Sequence, residues 1–315
     1  MKFWVLKIKE MKSIINILFF CCLLSSTSIV IYSQNGSSKD DRDINFVYSE
    51  KLFPKVDLRD AKGSIELWTR EIAADMKVSY SFSNEFIQGI STVDNDYIDQ
   101  EIDLIVLSAL EYLVNYEKLK NLSPIIVAAE NGKVGVEYLI LVHKENNFNS
   151  LSDLENNTIT FVDEYSSAIP QVWLDVILKT NGLAISNTFF KKIEVSKNTN
   201  QAILKTFFKQ VGACVVPKNL YESSVEINPQ LAKDLVILKQ SELFIVGVLC
   251  SHNKLNKDLK VDVIQSAKKI LQSIKGRQFA IFFRTGELAD FKSEHIESLR
   301  MLVNNAEKYN INLNR

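Results

Sequence analysis

Short polar side chains cluster where apolar runs end and helical periodicity begins, and their chemistry is that of donors. Ser166 and Ser167 follow the apolar run 158–163 and precede an amphipathic stretch. Ser49 closes the run INFVYS, with Tyr48 and Lys51 beside it. Ser108 closes IDLIVLS, with Tyr112 one turn further on, and Asn198, Thr199 and Asn200 follow a run ending near Val195. Hydroxyl and amide groups at such places donate hydrogen bonds, and the unpaired N–H groups of a helix start add partial positive charge. Together they suit the capture of a small oxyanion. Lys51 is the one cation placed to clamp it, which leaves a neutral or weakly charged ligand open. Ser, Thr and Asn are also the preferred N-caps, so each cluster taken singly reads first as a cap. A common orientation of all four toward one cleft would favour binding.

Catalysis has no comparable support. His143, His252 and His295 are too scattered for a spaced metal motif, and neither HExxH nor CxxC occurs. There is no GxSxG turn and no glycine-rich phosphate loop. His143 ends an apolar strand near the expected hinge and reads as a satisfied interlobe histidine. Asp163 reads as a carboxylate holding the turn into the next helix. The chain predicts no enzyme, no metal and no cofactor.

The elements that must position these groups alternate. The spacing of Leu58, Ala61, Ile65, Trp68, Ile72 and Met76 predicts a helix over 57–77, opened by Asp57. A strand is expected at 78–82, another at 102–108, a helix over 109–120 and a strand over 124–129. The runs 134–142 and 243–249 are long and apolar, and suit strands that cross between two lobes. Between them the pattern predicts strands 158–163, 189–195, 212–216 and 235–239 with helices 168–180, 198–210 and 217–226. Helices over 257–273, 275–284 and 292–308 close the chain. Strands and helices alternating at this spacing predict an α/β fold of mainly parallel sheets covered on both faces. Two lobes are expected, 44–138 plus 250–315 and then 139–249, with hinge strands at the ends of the second.

The first residues form a different kind of segment. Lys2, Lys7, Lys9 and Lys12 precede or open an almost wholly apolar run from Ile14 to Tyr32, and polar residues 34–43 follow as a linker. This predicts a secretory signal over residues 1–33, with an uncleaved anchor as the competing reading. Met11 opens a more conventional signal of its own. Removal of residues 1–33 takes four lysines and Glu10, so the formal charge moves from −1 to −4. A mildly acidic chain without a basic block argues against nucleic acid as partner. Cys214 and Cys250 remain, both in apolar runs, and read as small buried hydrophobes, with a disulfide left open.

The strings FVYSEKLFPKVDLRDAKGSIELWTREIA, IDLIVLSALEYL and VEYLILVHKENNFNSLSDLENNTITFVDEYSS resemble the phosphate/phosphonate-type periplasmic substrate-binding proteins of ABC transporters. AIPQVWLDVIL, the stretch from Val195 to Leu235 and GRQFAIFF are similar to one branch of that family. The resemblance implies a two-lobed type II periplasmic-binding fold. It further implies an exported monomer that takes a small ligand in its cleft and hands it to a membrane permease. A sensor or orphan binding protein signalling to a receptor is the alternative, and an interaction module with a degenerate cleft the next. Phosphonate binders carry Gly after the Ser-rich turn, Gly-x-His at the next helix start and Asp at the start of the following strand. Here those places hold Ala168-Ile169-Pro170, Lys197 to Asn200, and Gly212, which predicts the loss of two polar groups from the cleft side.

Overall fold

The computed structural model describes residues 43–313 apart from 53–56, 77–80, 131, 163–167, 275, 278–279 and 281–284. The signal-or-anchor segment, Asp163, Ser166 and Ser167 lie outside the described residues, as does much of the helix expected over 275–284.

Two mixed sheets carry the chain. The first has the order β11-β4-β10-β3-β1-β2. Its strands are β1 (Ile44–Ser49), β2 (Phe82–Ile87), β3 (Leu104–Ser108), β4 (Leu122–Ala129), β10 (Gly247–His252) and β11 (Glu287–Asp290). The second has the order β7-β6-β8-β5-β9. It comprises β5 (Tyr138–His143), β6 (Thr158–Val162), β7 (Lys192–Ser196), β8 (Ala213–Pro217) and β9 (Leu235–Gln240). The helices of the first half are α1 (Leu58–Asp75), α2 (Asn95–Glu101) and α3 (Ala109–Val114). Those of the second sheet are α4 (Ile169–Thr180), α5 (Ser186–Phe189), α6 (Thr199–Phe207), α7 (Lys218–Ile227) and α8 (Gln230–Asp234). After β10 come α9 (Lys257–Gln272) and α10 (Glu294–Lys308).

Local chemistry explains half of the described helix starts. The Asp57 carboxylate accepts from the Arg59 N–H at 2.9 Å and caps α1, whose Ala61, Ile65, Trp68 and Ile72 are buried in one cluster with Phe46 and Tyr48 of β1. Asn198 caps α6 and Asn256 caps α9 in the same way. The strand expected at 78–82 lies mostly outside the described residues and meets β2 at Phe82, and the rest of β2 escapes the sequence pattern because FSNEFI is rich in polar residues and buries only Ile87. That suits an edge strand paired to β1 alone. The pattern also misses the short edge strand β11. The helix after Ser108 stops at Val114, short of the expected 120.

The sheets are less parallel than expected, for a topological reason. β2, β1 and β3 run parallel, as do β7, β6 and β8, where strand–helix–strand units connect them. The strands that return the chain, β10 and β5, are antiparallel to their neighbours. These are also the two long apolar runs expected to cross. Residues 138–142 and 247–249 of these runs lie inside a sheet while 134–137 and 243–246 belong to the crossing, and β5 is buried along its whole length. A strand covered on both faces is apolar throughout, which mimics a crossing segment in the sequence.

The crossing is made by 130–137 and 241–246. The two segments meet where the Val136 N–H donates to the Phe244 carbonyl at 2.8 Å and the Phe244 N–H donates back at 3.0 Å. Gly135 has φ +115°, and a Cβ there would stand 2.7 Å from the Phe244 oxygen. Only glycine allows this approach.

One apolar cluster includes residues of both sheets. α10 belongs to it through Ile296, Leu299, Leu302, Val303 and Ala306, and packs against both α3 and α4. The last helix, expected wholly with the first lobe, therefore touches both halves. Cys214 on β8 and Cys250 on β10 are free, buried and in different sheets. Burial pushes the Cys214 thiol up to about 12.

Candidate ligand-binding site

Strand register locates the site. In open α/β sheets, ligands lie outside the carboxyl ends of parallel strands. In the first sheet Ser49, Ile87 and Ser108 end β1, β2 and β3 on the same side, and Ser108 is level with Gly247, where the returning segment enters. In the second sheet β6, β7 and β8 end together at Val162, Ser196 and Pro217, and Pro217 is level with Tyr138, where the outgoing segment enters. The carboxyl ends of both parallel sets thus face the crossing segments. His143 is at the opposite end of the second sheet, level with Leu235, and its Nδ1 accepts from the Glu145 N–H at 3.2 Å. It is not a hinge residue.

The first-sheet group is close-knit. Ser49 is fully buried, and its hydroxyl donates to Glu111 Oε2 at 2.7 Å. Glu111 Oε1 accepts from the Ile90 N–H at 2.8 Å and lies 3.9 Å from Lys51 Nζ. Ser108 Oγ accepts from the Glu111 N–H at 3.0 Å and so caps α3. Ser49 and Lys51 at its carboxylate and Ser108 at its backbone N–H are therefore brought together around Glu111, which sequence reasoning passed over. Its signal was the S-x-x-E spacing of Ser108 and Glu111, which reads as a capping box. Tyr48, one residue from Ser49, points to the other face of the sheet. Its ring stacks on Phe46 at 4.7 Å and on Phe86 at 5.3 Å, and burial raises its hydroxyl well above the ordinary phenol range. Tyr112 is buried and meets Tyr116 edge-on at 5.9 Å. Burial first, then the nearby Cys250 and Tyr116, push its pKa up to about 12.

In the second sheet the Asn198 side chain accepts from the Gln201 N–H at 2.8 Å, and Gln201 Oε1 accepts from the Lys197 N–H at 2.8 Å. This is a reciprocal cap on α6. Thr199 is buried, and Asn200 Oδ1 accepts from the Ser224 hydroxyl at 2.9 Å, which turns it toward α7. Two further residues stand at the carboxyl end of β8. Lys218 Nζ lies 3.3 Å from Glu137, and the Asn219 amide donates to Glu130 at 2.7 Å. Both partners belong to the outgoing crossing segment. The unbroken apolar run into Pro217 hid these residues from a search for Ser, Thr and Asn clusters. Gly212 directly precedes β8 at the far end from the crossing, with its N–H bonded to the Thr158 carbonyl at 2.9 Å. A Cβ there would stand 2.9 Å from the Asn157 side chain, so close packing holds this position, and no polar group is lost from the cleft here.

This arrangement can hold and orient a small solute. Among the described residues no group of three His, Cys, Asp or Glu side chains could bind a metal. No helix among them is long and apolar enough to cross a membrane.

Residues 73–278 match the family described as ABC transporter, phosphonate, periplasmic substrate-binding protein. The chain belongs to this family. Solved structures agree on the fold. PhnD1 from Prochlorococcus marinus, in complex with methylphosphonate, is 14% identical with TM-score 0.53, over 86% of this chain and 99% of the other. A Xanthomonas citri protein bound to ATP is 12% identical with TM-score 0.55, over 85% and 98%. A binding protein component of an ABC phosphonate transporter from Pseudomonas aeruginosa is 15% identical with TM-score 0.52, over 86% and 88%. No curated protein matches the sequence. The molecule is thus a type II periplasmic substrate-binding protein of the ABC-transporter class.

Proposed function

We propose that this substrate-binding protein closes on a small oxyanion of the phosphonate, phosphate or organic-acid class, using its crossing segments as the hinge. The reading is carried by one observation: the carboxyl ends of both parallel strand sets face those segments. Ser166 and Ser167 follow the carboxyl end of β6 in the sequence and precede α4, whose N-cap residue Ala168 supplies no side-chain cap. They are the primary candidate contacts, and Ser108 at the carboxyl end of β3 is the next. The methylphosphonate held by PhnD1 belongs to the same chemical class. The N-terminal segment exports the protein, which works as a monomer either released or anchored at the outer side of the membrane, without enzymatic activity. Engagement of Ser49, Lys51, Asn198 and Asn200 with neighbours inside the protein favours, as the second reading, an interaction module with a degenerate cleft.

Thermal-shift measurement against phosphate, phosphite, methylphosphonate, sulfonates and small organic acids tests the proposal. A ligand at a hundredfold excess over its Kd stabilises by about 2.7 kcal/mol, which moves Tm by several degrees. The expected result is a shift with at least one oxyanion and its loss in the Ser166→Ala, Ser167→Ala double variant. No shift with any of them, from folded protein, would overturn the oxyanion reading. An unchanged affinity in the double variant would leave both serines as caps.

A further inference from the structure

The groups that would bind a ligand oxyanion at the end of β1 are already bound to one. Glu111 is buried, with only 2% of its side chain exposed. Its two oxygens receive the Ser49 hydroxyl at 2.7 Å and the Ile90 N–H at 2.8 Å, with the Lys51 ammonium 3.9 Å away. A hydroxyl, a backbone N–H and a cation around a carboxylate make an oxyanion cradle, here filled from within. The chain is shaped to this occupant. Gly89 is buried against it, and a Cβ there would stand 2.8 Å from both Glu111 Oε1 and Lys51 Cε. Glu111 could have closed a capping box on Ser108, yet its carboxylate crosses to β1 and the segment after β2 instead.

We propose that Glu111 is a specificity-determining residue, a fixed internal occupant of the first-sheet oxyanion cradle that selects substituted oxyanions over inorganic ones. The inference rests on the oxyanion reading above. With Glu111 in place, Ser49 and Ile90 have no donor left to offer, and the Lys51 charge is balanced. The first sheet then presents no net positive charge at this point. A free phosphate has four oxygens and needs donors on every side. An alkyl-substituted oxyanion can place its anionic head toward the second sheet and its neutral end toward the first. A buried carboxylate near the cleft penalises the former and tolerates the latter.

Two variants test this. In Glu111→Ala the occupant is removed and the donors remain, so formate should refill the cradle. We expect formate to raise Tm by several degrees over chloride at equal ionic strength in the variant, and not in the wild type. Glu111→Gln keeps the shape and removes the charge. Calorimetric titration with inorganic phosphate and with methylphosphonate should show the phosphate-to-methylphosphonate affinity ratio rising at least tenfold in this variant. Absence of formate stabilisation in Glu111→Ala would overturn the cradle. An unchanged or falling ratio in Glu111→Gln would overturn the selector role. If formate stabilises Glu111→Ala but no oxyanion binds the wild type or Glu111→Gln, the oxyanion reading of the ligand falls and the selector role falls with it.

Discussion

Replacing Gly135 with alanine should destabilise the protein where its two crossing segments meet. The residue holds φ +115°, a conformation that costs a side-chain-bearing residue about 1–3 kcal/mol. The new Cβ would also stand 2.7 Å from the Phe244 oxygen and 2.9 Å from its carbonyl carbon. Both atoms are backbone, so no side chain can swing away. Relief requires lengthening the reciprocal Val136–Phe244 hydrogen bonds, now 2.8 and 3.0 Å, at about 1 kcal/mol each. The expected loss is therefore about 3–5 kcal/mol. Gly63→Ala is the matched control. Gly63 sits inside α1 with nothing within 4 Å of an added Cβ, so alanine should stabilise by up to about 1 kcal/mol. Urea unfolding followed by circular dichroism reads both, because midpoints should move in opposite directions from the wild type. A Gly135→Ala midpoint within about 0.5 kcal/mol of the wild type, with Gly63→Ala behaving as expected, would refute the close packing of the two crossing segments.

Two further outcomes follow from single contacts. Ser49→Ala removes the hydroxyl donor from a buried carboxylate and should cost about 1.5–3 kcal/mol in the same assay, and a loss below 0.5 kcal/mol would show the bond to be dispensable. Hydrogen bonds from Lys192 and then Lys205 hold Glu194 at about 2, below its ordinary 4.5. A folded pKa below the unfolded one gives stability that is full above pH 4.5 and is lost as pH falls toward 2. Glu194 is largely solvent-screened, so the expected effect of Glu194→Gln is only about 0.5–1 kcal/mol at pH 7. The gap between variant and wild type should close between pH 4.5 and 2, and a gap independent of pH would exclude the ion pairs as its cause.

Much of the fold is legible along the chain because its causes are local. Asp57, Asn198 and Asn256 mark helix starts by what their side chains can accept, and the apolar runs of β3, β5 and β8 mark buried strands by composition. The strand ends also carried the candidate contacts, and register placed Ser49 and Ser108 at the cleft side with their strands. Other features are invisible at that range. FSNEFI becomes β2 only because β1 offers it an edge, and no periodicity records that offer. Within the runs 134–142 and 243–249 the sequence does not separate the crossing parts from the strands β5 and β10, since burial on both faces leaves the same apolar trace as a passage between lobes.

The sequence by itself determined the class of molecule: α/β layers, two sheets and small donors at strand ends, which family membership then specified as a periplasmic substrate-binding protein. What those donors face was decided by tertiary structure alone. The bond from Ser49 to Glu111 spans 62 positions, and it exists because β1 and β3 pair in one register that sets the first turn of α3 beside the end of β1. Capping chemistry acts within four residues and can be read locally. A buried carboxylate finds its partners only when the sheet closes, so whether a serine is free for a ligand or already bound is settled by packing.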